Sequence, residues 1–243
     1  WYETFAEEPK EEKPAGIGEV TIRPPKEGAE CNGHGVASAS PSSLEGGGKI
    51  EISERFDGKT NSGFSWGTIV HYWFEQIDWL EGETPTIESL MTSAPAEEAS
   101  ILGQRTLHAA AESFIKAIES DAIQELLSKP EGKVSVFNEQ TFAVRVEKGT
   151  DFANVSLKEH TDLQGCIDRL VVFYDNEGKP QRAEVIDWKT DSLDNVAIES
   201  KVIHYAPQLA SYRFAVAKLL GLSASEISTF LIFVKAQKIV EVP

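Results

Sequence analysis

Cysteine occurs only twice in the 243 residues, at Cys31 and Cys166, with no Cys-x-x-Cys or Cys-x-His spacing. That excludes a disulfide scaffold, a cysteine-ligated zinc site and an iron–sulfur cluster built from this chain alone. Hydrophobic runs are short, and none approaches the ~20 apolar residues that a membrane-spanning helix requires. The N-terminus is acidic rather than basic and apolar, so no secretory signal is expected there. No Gly-x-x-x-x-Gly-Lys-Ser/Thr pattern occurs, which removes a P-loop phosphate cradle. Methionine appears once, at Met91, so Trp1 is not a start-codon product and the chain is expected to be a piece of a longer protein. Bases are also scarce, with 23 Lys and Arg against 39 Asp and Glu, a net charge of −16. Such a balance disfavours capture of nucleic acid by long-range attraction. It leaves open a local basic groove, or a site that holds cations on carboxylates.

What is present divides in two. Residues 1–48 carry eight of the 18 glycines and five of the 11 prolines, with a Glu/Lys/Pro run from Glu7 to Pro14. Without helical or strand periodicity they read as a linker-like, partly disordered arm, in which Ala39-Ser-Pro-Ser-Ser-Leu-Glu45 suits a short helical turn. Residues 49–243 form the expected domain, with ordered structure from about Ile50.

The first helix is expected after Ser65 as N-cap, with Trp66, Ile69, Val70, Trp73, Phe74, Ile77 and Leu80 in one apolar stripe and Gly82 and Pro85 as its end. A second helical stretch, from about Gln104 to Lys129, breaks near Ser120-Asp121. Period two then takes over. Val134–Phe137 and Thr141–Val146 read as two strands, Leu163–Tyr174 as a long one, and Arg182–Trp188 as its antiparallel partner across the Asp175-Asn-Glu-Gly178 turn. A late helix is expected from Tyr205–Pro207 to a C-cap at Gly221, then strands at Phe230–Val234 and Ile239–Val240. This order predicts an α/β domain with a central mixed sheet flanked by helices.

The chemistry concentrates where strand alternation brings charges together. Asp187 and Lys189 are two apart and share a face, with Ile186 and Trp188 on the other. Asp168 lies on the neighbouring strand, so the two aspartates converge with Lys189 one step away. Two carboxylates and an ammonium among apolar strands are costly unless something holds them, and a divalent cation neutralises both acids. A lysine beside a metal-bound water orients it or helps to deprotonate it. A structural Asp–Lys pair is the simpler reading of Asp-x-Lys alone. His71 borders the aromatic stripe one turn before Glu75, Gln208 and Tyr212 share a face of the late helix, and Glu139 at a strand start is a candidate additional acid.

The succession Gly67-Thr-Ile-Val-His71-Tyr-Trp-Phe-Glu75, Leu163-Gln-Gly-Cys-Ile-Asp168-Arg-Leu, Val185-Ile-Asp187-Trp-Lys189-Thr-Asp191 and Tyr205-Ala-Pro-Gln208-Leu-Ala-Ser-Tyr212 resembles the RecB-like nucleases of the PD-(D/E)XK superfamily. It is most similar to the C-terminal nuclease domain of AddA/RecB-type helicase–nucleases of the UvrD/Rep helicase family. The Ser-Pro-Ser-Ser-Leu-Glu segment also looks like the lead-in to such domains. The proline of the superfamily's name is absent, since Ile167 precedes Asp168.

The resemblance implies a restriction-endonuclease-like core and a bacterial, cytoplasmic DNA nuclease of exonuclease type. It would use Mg²⁺, with Mn²⁺ as substitute. His71, Asp168 and Asp187 would be metal ligands, with the Trp188 carbonyl completing the site, and Lys189 would position or activate the attacking water. Gln208 and Tyr212 would brace the site or touch the DNA. The implied partners are a single DNA strand delivered by an upstream helicase motor and a partner subunit of the helicase–nuclease complex. The two cysteines fit the AddA/RecB branch rather than the relatives that hold an iron–sulfur cluster on four cysteines. The alternatives are a catalytically inactive nuclease-fold module serving in protein interaction or DNA guiding, and a stand-alone RecB-like nuclease with no motor. Retention of His71, Asp168, Asp187 and Lys189 argues against the inactive module.

Overall fold

Two long strands organise the computed structural model, which describes residues 37–47, 58–82, 84–191, 193 and 197–243. The elements in chain order are β1 (Ala37–Ala39), a 3-10 segment (Pro41–Gly47), α1 (Gly58–Glu75), α2 (Ile87–Ser93), α3 (Ala96–Ile118), α4 (Asp121–Leu127), β2 (Lys133–Val146), β3 (Asp151–Phe152), β4 (Val155–Ser156), β5 (Thr161–Tyr174), β6 (Pro180–Lys189), α5 (Ile198–Leu220), β7 (Ile227–Phe233) and β8 (Lys238–Val242). The main sheet runs β1-β5-β6-β7-β8, with β2 on the opposite edge of β5. Pairing is parallel for β1–β5 and β6–β7 and antiparallel elsewhere, the mixed sheet expected from the sequence.

Helices cover both faces. On one, Trp73, Phe74, Phe114, Ile118 and Ile123 of α1, α3 and α4 pack against Val171, Phe173, Ile186 and Trp188. The Phe74 and Trp188 rings stack at 3.8 Å with planes 5° apart, tying α1 to β6. On the other, Tyr212, Ala215 and Val216 of α5 pack against Leu163, Ile167, Leu170, Val172 and Val185.

Alternation along β2 and β5 changes face part-way. Val134 and Val136 face the first core, whereas Phe142, Val144 and Val146, of the same parity, face the second. On β5, Leu163 and Ile167 face the second core, and Val171 and Phe173 the first. A regular strand keeps equal parity on one face. The switch falls at Glu139, whose φ is +48°, in the register that runs from Asn138↔Arg169 to Gln140↔Ile167. Glu139 and Asp168 therefore stand at the same level where both strands turn over.

Several expected boundaries move. Residues 37–47, given to the arm, are paired with Thr161–Leu163 through β1 and bury Leu44 among the second core. A Cβ at Gly165 would lie 2.7 Å from Pro41 Cδ, so this segment is seated closely on β5. The expected onset near Ile50 lies outside the described residues. Ser65 is inside α1 rather than its N-cap, and α1 stops at Glu75, leaving Ile77 and Leu80 to pack from the following chain. Helix α2, capped by the Thr86 side chain, was not anticipated, and α3 begins at Ala96 with a break at Gly103 (φ +73°), one residue before the expected start. The two expected strands at 134–146 are one. Helix α5 starts at Ile198, with Pro207 inside it and Gly221 as its left-handed cap.

Candidate active site

The site forms where β5 and β6 part. Their ladder ends at Arg169↔Ile186, beyond which Asp187, Trp188 and Lys189 remain paired with β7. The Trp188 N–H, freed on the β5 side, donates to Asp168 Oδ2 at 2.9 Å. The Trp188 amide thus meets an acid of the site.

Asp168 draws in two further elements. His71 Nδ1 of α1 lies 3.5 Å from Asp168 Oδ2. Glu139 supplies a carboxylate from β2, and one ligand atom from each of His71, Glu139 and Asp168 falls within 4.8 Å of the others. These three, with Glu75, Tyr72, Thr68 and Thr190, line a cleft of about 550 Å³ that has no lysine or arginine among the described residues of its wall. Burial, and then the negative charge of Asp187, pushes the Asp168 carboxyl up to about 7, against the pull of His71, Lys189 and the Trp188 amide. The Cys166 thiol donates to Glu139 Oε2 at 3.3 Å, and burial with that hydrogen bond pushes it up to about 12, so it stays protonated.

Lys189 is the centre of a second cluster on the α5 side. Its Nζ is 2.8 Å from Asp187 Oδ2, donates to Gln208 Oε1 at 2.9 Å, and sits 4.2 Å over the Tyr205 ring. Burial alone would lower this ammonium, but Asp187, Glu45 and Asp168 outweigh it and leave its pKa raised. It therefore remains charged, a group that orients and offsets charge rather than a base. Gln208 Nε2 donates to the Tyr212 hydroxyl at 3.2 Å, which donates to the Cys166 carbonyl at 2.9 Å. Both side chains are buried, 5% and 4% exposed. Asp191 accepts from the Tyr205 hydroxyl and from Lys201 Nζ. These contacts hold it low although burial works the other way.

The residues present suit a divalent cation. One imidazole and several carboxylates are donors that Mg²⁺ and Mn²⁺ accept. Asp187 Oδ2 is buried, with Lys189 Nζ 2.8 Å away as its ion-pair partner.

The profile of the PD-(D/E)XK nuclease superfamily matches residues 47–242. The chain belongs to that superfamily. No curated protein matches it. Superfamily membership implies a nuclease that hydrolyses the phosphodiesters of DNA and uses divalent metal, and it accords with the mixed sheet flanked by helices. Among the described residues no helix is long and apolar enough to cross a membrane.

Of the residues singled out from sequence, His71 and Asp168 meet in the cleft, while Asp187, Lys189, Gln208 and Tyr212 form the adjoining polar chain. Glu139, which sequence offered only as an additional acid, completes the three-residue group. Glu45 was missed. It comes from the 3-10 segment, lies near enough to influence Lys189, and is raised by burial against that lysine's pull. Its only sequence signal was its place in the Ser-Pro-Ser-Ser-Leu-Glu run.

Proposed function

We propose that this chain is the metal-dependent DNA nuclease domain of an AddA/RecB-type helicase–nuclease, a bacterial cytoplasmic enzyme that trims double-strand ends for recombinational repair. The observation that carries the reading is the convergence of His71, Glu139 and Asp168 beside the Asp187–Lys189 pair. His71, Glu139 and Asp168 would hold Mg²⁺, or Mn²⁺ in its place, with Asp187 Oδ2 as the remaining acidic donor. Such a cation, when bound, supplies Lewis-acid polarisation of the phosphodiester and a more acidic water. Lys189, held as an ammonium, donates to the phosphate oxygen on which charge develops. Gln208 braces Lys189 from α5 by accepting one of its hydrogens, and Tyr212 holds Gln208 in turn.

The net charge of −16, with no lysine or arginine among the described residues of the cleft wall, supports a strand that is delivered rather than captured. An upstream motor feeding a single strand, in a complex with a partner subunit, meets that need. Residues 49–243, extended by the docked segment 37–47, would be the nuclease domain, and what precedes them a linker to the motor. The test is hydrolysis of an end-labelled single-stranded oligonucleotide with Mg²⁺ or Mn²⁺. Lys189→Ala should lower the rate about 10²–10³-fold with the melting transition retained. Wild-type-like cleavage by a folded Lys189→Ala protein would sink the mechanism, and cleavage without divalent metal would sink the metal site.

A further inference from the structure

Arg169 is among the largest fully buried side chains, 0% exposed, and makes no ion pair among the described residues. Two of its three acceptors are main-chain carbonyls. Nη1 donates to the Ile77 carbonyl at 2.7 Å and to Asn138 Oδ1 at 3.1 Å, and Nη2 donates to the Asp78 carbonyl. Nε finds no acceptor among the described residues. The Trp79 ring flanks the guanidinium, 5.0 Å from Cζ. Asn138 extends the same grip, its Nδ2 donating to the Glu75 carbonyl at 3.0 Å and to Asp78 Oδ1 at 3.1 Å. The carbonyls taken are those at and just past the end of α1, which a helix leaves without partners of its own. A buried guanidinium with no ion pair among the described residues, and only the charge of Asp78 acting on it from farther off, is an expensive way to satisfy them if stability is its only purpose.

The placement of this clamp gives it a second purpose. Asn138 and Arg169 face each other in the β2–β5 register. Asn138 immediately precedes Glu139, Arg169 immediately follows Asp168, and the clamped end of α1 is one turn beyond His71. The three elements that carry the three converging side chains are thus joined at one point, through a planar fork whose donor directions are fixed.

We propose that Arg169, assisted by Asn138, is a positioning residue that sets the separation of α1 from the β2–β5 pair, so that His71 reaches the point where Glu139 and Asp168 meet. This rests on the metal-site reading above. Arg169 itself touches neither the cleft nor a substrate.

The test uses Mn²⁺ as the probe on the 243-residue chain. Affinity is read by calorimetry, and coordination by the nitrogen coupling of an imidazole in the electron-spin-echo signal of bound Mn²⁺. Wild type is compared with Arg169→Met, Asn138→Ala and Ile123→Ala, the last a buried residue of α4 outside the clamp that supplies a loss of stability alone. Arg169→Met should weaken Mn²⁺ about 10–100-fold, as outer partners of metal ligands do, and lose the nitrogen coupling while still melting cooperatively. Asn138→Ala should move both readouts in the same direction by less. Ile123→Ala should lower the melting temperature and leave both unchanged. A folded Arg169→Met protein with wild-type affinity and nitrogen coupling overturns the positioning role alone. If Arg169→Met does not fold, Asn138→Ala decides by the same two readouts. A wild type that binds no Mn²⁺ overturns the metal-site reading and this proposal with it.

Discussion

Strand β5 is two different structures end to end. From Arg169 to Tyr174 it is laddered on both edges, with β2 and β6, and Leu170, Val171, Val172 and Phe173 send apolar groups into both cores. From Gln164 to Asp168 it keeps only β2 among the described residues, because β1 ends opposite Leu163 and the β6 ladder stops at Arg169↔Ile186. The closed half satisfies its backbone with backbone. In the open half the Trp188 N–H takes a carboxylate instead. Hydrogen-bond groups left over when a sheet splays are a source of polar sites, since buried donors must find partners somewhere.

The comparison can be broken at adjacent residues. Ile186 is the last β6 residue of the closed half and is fully buried. Ile186→Ala should cost about 2–5 kcal/mol in a denaturant melt, with Mn²⁺ affinity of the folded protein unchanged. A large drop in affinity would mean that the halves are not separable.

Asp168 sharpens the contrast through pH. Its carboxyl has an ordinary value of 3.8 and is pushed up to about 7 by burial and by Asp187. Between those values the native chain holds a proton that the unfolded chain has lost. The contribution therefore favours folding at low pH and disappears as pH rises through about 7. Relative to Asp168→Asn, the metal-free wild type should lose on the order of 2 kcal/mol between about pH 5 and about pH 8. Equal slopes for the two proteins in chemical denaturation across that range would count against a strained, open half. Mn²⁺ should restore the wild type alone.

The smallest effect is expected at Glu139. A non-glycine residue at φ +48° stores strain, and Glu139→Gly should raise the stability of the metal-free protein by about 1 kcal/mol. The same change should weaken Mn²⁺ binding. Loss of stability would show that the turn-over of β2 depends on the glutamate side chain rather than costing backbone energy.

Period-two alternation sufficed to find β5, β6 and their hairpin, because those strands are held by their own side-chain pattern and by the Asp175–Gly178 turn. It also put Asp187 and Lys189 on one face. Helix ends were misread because tertiary partners set them. Asn138 and Arg169 take the carbonyls that stop α1 at Glu75, and no local residue announces this. Pro207 read as a helix start, yet the carbonyl it leaves without a donor, that of Ile203, belongs to a residue 73% exposed, where water can serve. Glu139 escaped full weight for a related reason. Alternation assumes an extended strand, and the positive φ that aims β2 at the cleft breaks the rule used to find it. Glu45 lies in a segment with no periodicity at all, so nothing but a family likeness points to it.

Strand β1 has only three residues, and its value lies in what it covers. It occupies the edge of β5 at Thr161–Leu163, directly beside the opening. An unoccupied strand edge recruits other strands, including those of neighbouring molecules. The short N-terminal strand thus acts as a guard against intermolecular pairing at the place where the sheet must stay open for chemistry. A fragment beginning after Ala39 would carry an intact set of reactive side chains next to an adhesive edge, and its failure in solution would be aggregation rather than loss of catalytic groups.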